Sequence, residues 1–210
     1  MHIELINIAK KFNREWIFKD VNIHIPYSSK LAVLGSNGSG KSTLLQIIVG
    51  SLSASKGEIK YLKNEQSIAA ENVYKHFSIA SPYLELIEEM TLSEMIDFHF
   101  SFKNRLNEFS NGDLLNIVGL ESSKNKEIRY FSSGMKQRAK LMLAVLSDVD
   151  CVMLDEPCSN LDKQGISWYH QLLNEYLNNR TIIICSNQEY EYSMCDKSIS
   201  IMDYKPDSQK

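Results

Sequence analysis

An α/β fold is predicted by three observations: apolar runs of strand length recur along the chain, a glycine-rich loop joins one of them to a helix-like segment, and a central stretch shows helical spacing alone. The runs at 31–34, 149–154 and 181–185 are dominated by apolar residues, as strands covered on both faces require. Val21-Asn22-Ile23-His24-Ile25 alternates instead, which suits an antiparallel strand with one wet face. Ser198-Ile199-Ser200-Ile201 reads as a last strand before a polar tail. Between Pro82 and Arg129 the period becomes helical. Leu92, Met95, His99 and Phe102 fall on one stripe there, and no strand run is evident. The expected architecture is a mixed β-sheet flanked by helices, with a helical insertion. On that stripe His99 is expected to be a packed or hydrogen-bonded side chain and not a ligand.

Composition narrows the classes. A chain of 210 residues fits one domain with a modest insertion, long enough to bury a full core. The net charge of −3 gives no reason to expect nucleic-acid binding. No apolar run approaches the roughly 18 residues of a membrane helix, and Met1-His2-Ile3-Glu4-Leu5 lacks the order of a signal peptide. Cys151, Cys158, Cys185 and Cys195 form no C-x-x-C pair, so reduced buried thiols are expected. Together these readings point to the cytoplasm.

The chemistry starts at Gly35-Ser36-Asn37-Gly38-Ser39-Gly40-Lys41-Ser42-Thr43, which fits G-x-x-x-x-G-K-[ST]. Glycines let the backbone turn several N–H groups toward one phosphate cluster. Lys41 supplies a cation for the β- and γ-phosphates, and the Ser42 hydroxyl can ligate Mg²⁺. The strand-like 30–34 before the loop and the helix-like 41–49 after it are the required context, because a helix N-terminus then faces the phosphates. This is a nucleoside triphosphate site, and the fold class sharpens to a P-loop NTPase core.

A second element, Cys151-Val152-Met153-Leu154-Asp155-Glu156-Pro157, is a buried strand ending in two carboxylates. Strand ends of this kind open into the ligand crevice. Asp155 is expected to hold Mg²⁺, through water, and Glu156 to polarise a water against the γ-phosphate. The third element is Phe131-Ser132-Ser133-Gly134-Met135-Lys136-Gln137-Arg138, at the end of the helical insertion. It opens a helix expected to run to about Leu146, and Ser132 with the N–H groups around Gly134 makes a second phosphate-binding helix start.

In this order and combination, with Ser159-Asn160-Leu161-Asp162 following, the sequence resembles the ATP-binding subunit of ABC transporters over essentially its whole length. The resemblance implies a head-to-tail dimer, homodimeric or heterodimeric, with two ATP sites at the interface. Each site would pair Lys41, Ser42, Asp155 and Glu156 of one subunit with Ser132 and Gly134 of the other. It also implies residues 1–81 and 131–210 as the ATP-binding core and 82–130 as the helical subdomain. Phe12 stands at the place of the adenine-stacking aromatic, with Trp16 as a rival.

Two positions depart from the family's pattern. Where a glutamine usually follows the strand near Ile79, the matching residue is Ser81, too short to copy its reach without a water. Where a switch histidine usually follows the strand at 181–185, Ser186-Asn187 stands instead. Asn187 can donate an amide hydrogen bond but cannot titrate. These changes leave ATP binding intact and bear on the rate of hydrolysis.

The resemblance implies an energy-coupling ATPase, placed on the inner face of the cell membrane by docking on a separate transmembrane permease. Tyr83, Leu84, Leu86, Ile87, Phe98, Phe100 and Phe102 are candidates for that docking face. Two other readings stay open: a soluble ABC-type ATPase working on DNA or ribosomes, and a slowly hydrolysing nucleotide-binding regulator. A single cassette with no basic block speaks against the first, and Glu156 against the second.

Overall fold

The structure, a computed structural model, describes residues 1–177 and 179–206. In chain order its elements are β1 (His2–Phe12), β2 (Glu15–Ile25), β3 (Lys30–Leu34), α1 (Lys41–Ile48), β4 (Lys56–Lys63), β5 (Gln66–Ser67) and β6 (Phe77–Ala80). There follow α2 (Leu92–Phe100), α3 (Asn111–Val118), α4 (Ser133–Val145), β7 (Cys151–Asp155), α5 (Lys163–Tyr176), β8 (Thr181–Cys185), α6 (Glu189–Tyr192) and β9 (Lys197–Ser200).

The antiparallel and parallel strands separate into two sheets. One is antiparallel, in the order β2-β1-β4-β5. The other is wholly parallel, in the order β6-β7-β8-β3-β9. Alternation in β2 has the expected cause: Val21, Ile23 and Ile25 are buried while Asn22 and His24 face outward.

Parallel strands need cover on both faces, and the side chains of β7 and β8 divide accordingly. Val152, Leu154, Ile182 and Ile184 pack with the helices α2 to α5. Cys151, Met153, Ile183 and Cys185 pack on the other face, with α1 and the antiparallel sheet. A slip of one residue would exchange these two sets, so the pattern fixes the register. The 31–34 and 181–185 runs form strands as expected, whereas the run at 149–154 begins its ladder only at Cys151.

Between 82 and 130 the described residues form α2, α3 and short 3-10 turns, with no strand of a sheet. Thr91 with Glu94, and Ser110 with Asp113, cap α2 and α3 reciprocally, which fixes both starts. The helical stripe is shorter than its spacing predicts. Leu92 and Met95 are buried, but α2 ends at Phe100 and leaves Phe102 70% exposed beyond it. His99 is half-buried, and its Nε2 lies 2.9 Å from Ser147 Oγ.

Of the candidate docking residues, Leu86 and Phe100 pack against the core and are withdrawn from that face. Tyr83, Leu84, Ile87, Phe98 and Phe102 remain exposed. No helix among the described residues is long and apolar enough to cross a membrane.

Candidate active site

Parallel pairing brings the C-terminal ends of β3, β6, β7 and β8 to one edge of the sheet. The residues that follow them are therefore neighbours in space: the glycine-rich loop, Ser81, Asp155-Glu156 and Ser186-Asn187.

The loop is shaped by steric demands that its glycines meet. Gly40 caps α1 at φ +105°, and a Cβ there would stand 2.6 Å from Ile17 Cγ2 of β2. Gly35 lies at φ +154°, where a Cβ would meet Ser39 Oγ at 2.6 Å. Ser39 Oγ itself is buried with no hydrogen-bond partner among the described residues, a polar group that a ligand can satisfy. Lys41, 5% exposed, folds over the loop and donates to Gly35 O at 2.7 Å and Ser36 O at 3.1 Å. Those carbonyls hold the ammonium against the loop.

Asp155 is 2% exposed. Its Oδ2 accepts from the Ser81 hydroxyl at 3.3 Å, while its Oδ1 is buried without a hydrogen-bond partner among the described residues. Burial is the largest influence on this carboxyl and, with help from Glu156, raises its pKa; Ser42, Ser81 and Lys41 oppose that rise. A buried carboxylate with one unpaired oxygen and the Ser42 hydroxyl as neighbour is a donor set suited to a hard divalent cation such as Mg²⁺.

The chain turns sharply after β7. Glu156 lies in the left-handed region at φ +44°, and its N–H donates to Cys185 O at 2.9 Å. That bond ties the carboxylate pair to the end of β8. At that end, Asn187 Nδ2 reaches Asn37 Oδ1 of the loop at 3.4 Å. Asn187 thus touches the phosphate loop directly.

Ser132 caps α4 and accepts from the Met135 N–H at 3.2 Å. Gly134 permits a close approach, since a Cβ there would lie 3.1 Å from Asn160 O. Ser132 and Gly134 line a separate cavity of about 370 Å³ together with Asn160, Asp162 and Gly165. No residue of the phosphate loop borders it. Within one chain the glycine-rich loop and the helix start at Ser132 and Gly134 therefore border different cavities.

Phe12, at the end of β1, is 47% exposed and lies 5.0 Å beneath Lys10 Nζ, so it is not a core residue. Trp16 is half-buried among Lys11, Lys19 and Lys56.

Two side chains at this edge carry no role in the sequence reading. Gln137 is buried and donates to Pro157 O at 2.7 Å, joining α4 to the turn after Glu156. Glu191 is a buried carboxylate between the turns after β7 and β8. Position in Phe131-Ser132-Ser133-Gly134-Met135-Lys136-Gln137 gives the only sequence signal for Gln137, and no motif marks Glu191.

A sequence profile described as "ABC transporter" matches residues 18–159. The chain is 30% identical over 207 residues to the ABC transporter ATP-binding protein YybJ of Bacillus subtilis (strain 168), covering 95% of this chain and 92% of that protein. A second relative from that strain, YcbN, is 28% identical over 170 residues, covering 81% of this chain but 55% of its own length. Among solved structures, the ATP-binding cassette MJ0796, dimeric and bound to ADP and Pi, has a TM-score of 0.82 at 20% identity, over 98% of this chain and 96% of that one. That likeness is one of fold. With the profile spanning most of a chain whose sheet edge gathers these groups, the chain belongs to the ABC transporter family, as an ATP-binding subunit of the ATPase type.

Proposed function

We propose that the chain hydrolyses ATP at a site shared between two subunits and passes the resulting movement to a transmembrane permease. The observation that carries this reading is the separation within one chain of the phosphate loop from Ser132 and Gly134. A head-to-tail second subunit would bring the missing half, so ATP itself would hold the interface together.

Within each site, Gly35, Ser36, Asn37, Gly38, Ser39, Gly40 and Thr43 wrap the phosphates with backbone N–H groups. Lys41 gives up its bonds to Gly35 O and Ser36 O and turns to the β- and γ-phosphates. Phe12 stacks on the adenine. Ser42 and Asp155 fit Mg²⁺, which when bound would neutralise charge between the β- and γ-phosphates. Glu156 accepts a proton from the attacking water, Ser81 orients the groups around Asp155, and Asn187 donates to the γ-phosphate.

Docking is supported by a cavity of about 470 Å³ beside this site. It runs from Ser42, Ser81 and Asp155 out to Tyr74, Tyr83 and Leu84, and those three are 57%, 78% and 46% exposed. Exposed large apolar side chains around a groove are a feature of partner surfaces. A cytoplasmic segment of the permease seated there would hold the chain on the inner face of the membrane.

The test is Glu156→Gln. ATP binding should persist, hydrolysis should slow by about 10²-fold or more, and ATP should drive a dimer visible by size-exclusion chromatography. A variant that stays monomeric with ATP at every protein concentration, with the permease present as well, would remove the shared site.

A further inference from the structure

Glu191 belongs to none of the motifs, yet it is 3% exposed. A carboxylate taken out of water is costly unless its oxygens are satisfied. Here each oxygen takes a donor from a different turn of the active edge. Oε1 accepts the Cys158 N–H at 2.8 Å, two residues beyond Glu156. Oε2 accepts the hydroxyl of Ser186, the residue before Asn187. Ser186 Oγ also accepts the Gln188 N–H at 2.9 Å, so the turn that carries Asn187 closes around that hydroxyl. Ser186 is fully buried and its own N–H donates to Val33 O at 3.2 Å, on the strand that leads into the phosphate loop.

We propose that Glu191 is a positioning residue: one carboxylate fixes the turn bearing Glu156 relative to the turn bearing Asn187, so that base and phosphate donor keep their register through hydrolysis. The proposal rests on the roles given above to those two residues. It requires a carboxylate and not merely a polar side chain. Two donors converge, one on each oxygen, and a glutamine offers one acceptor oxygen while turning N–H groups toward the other donor. Loss of one tie leaves a buried N–H without an acceptor and the turn free to shift, and a misplacement of about 1 Å can cost 10²-fold in rate.

The rival explanation is that Glu191 only anchors the short α6. That anchoring has a source of its own in the Glu191 main chain. Its carbonyl accepts from Tyr169 Oη at 2.7 Å and its N–H donates to Gln188 O at 3.0 Å. Side chain and main chain therefore perform separable tasks, which mutation can tell apart.

The experiment compares ATP turnover, KM for ATP and thermal unfolding of the full chain with those of Glu191→Gln, Ser186→Ala, Tyr169→Phe and Glu156→Gln. Glu191→Gln is expected to lower kcat at least about tenfold with KM within about twofold of wild type. Amide exchange across 156–161 should quicken in the same variant with ATP bound. Ser186→Ala breaks the tie from its other end without touching the carboxylate and should lower kcat about threefold or more. Tyr169→Phe should lower the unfolding midpoint and keep kcat. Wild-type kcat in both Glu191→Gln and Ser186→Ala, beside a slow Glu156→Gln, overturns the positioning role and leaves the base in place. Equal kcat losses in Tyr169→Phe and Glu191→Gln overturn it in favour of anchoring. Wild-type rates in Glu191→Gln and Glu156→Gln together overturn the base assignment first, and the positioning role with it.

Discussion

The Ser81 hydroxyl donates to Asp155 Oδ2 across 3.3 Å, at a position where the resemblance predicts a longer amide side chain. Lys140 holds the Ser81 turn from behind, with Nζ donating to Ser81 O at 3.3 Å and Pro82 O at 3.2 Å. The short side chain leaves open the neighbouring cavity of about 470 Å³, which Ser81 helps to line. A glutamine there has room to extend. We expect Ser81→Gln to raise kcat severalfold. Ser81→Ala, which removes one hydrogen bond to a charged group, should lower it by roughly 3- to 10-fold. ATPase rates of both variants that match wild type would leave Ser81 as packing alone.

Lys41 is expected to be indispensable for nucleotide binding. Its ammonium is held by two carbonyls of its own loop and the residue as a whole is 5% exposed, so an anion entering the loop meets a cation partly withdrawn from water. Lys41→Ala should abolish ATP binding detectable by isothermal titration. Unchanged affinity would refute the assignment of the loop.

His99 should make the fold sensitive to acid. Ser147 Oγ donates to Leu143 O at 2.7 Å, so the hydrogen between Ser147 and His99 belongs to His99 Nε2. Burial, with Lys103 nearby, lowers the pKa of the imidazole to about 4. The unfolded chain then binds a proton near pH 6.5 that the folded chain refuses. The stability this histidine contributes is complete above about pH 6.5 and is lost as pH falls toward about 4. Within that window it steepens the loss by up to about 1.4 kcal/mol per pH unit. His99→Gln keeps a donor for Ser147 without titrating. Denaturant unfolding of the two proteins from pH 4 to 7 should therefore show a shallower slope in the variant, and parallel curves would count against the buried neutral form.

Much of this was readable from residues. The 31–34 and 181–185 runs became strands because a parallel sheet needs apolar side chains on both faces, and the helices opening at Lys41 and Ser133 carry their starting motifs locally. Less readable was whatever depended on which elements meet. Leu86 and Phe100 are docking candidates by sequence but are partly buried against the core. Phe102 continued a helical spacing that the chain itself ends at Phe100. Glu191 gave no signal because its partners, Cys158 N–H and Ser186 Oγ, come together only when β7 and β8 pair. The division into two sheets was equally hidden, since register shifts after Leu5 and Ile6 break the alternation of β1, and strand pairing is not a local signal.

Asn187 offers the sharpest test of the switch position. Its Nδ2 lies 3.4 Å from Asn37 Oδ1, a long and exposed contact that a phosphate oxygen can replace at little cost. As the γ-phosphate gains charge in the transition state, a donor aimed at it can be worth roughly 2.7–4 kcal/mol in favourable geometry. A neutral amide on a short, rotatable side chain should supply only part of that, whereas an imidazole presents its N–H from a rigid ring. We therefore expect Asn187→His to raise turnover about tenfold and Asn187→Ala to lower it. Because asparagine does not titrate, only the histidine variant should gain a new inflection near neutrality, where imidazole changes charge. Steady-state rates of the three proteins from pH 6 to 9 would decide it. If Asn187→Ala tracks wild type across the range, the residue only closes the turn after β8, and the γ-phosphate must be held by other groups at this edge.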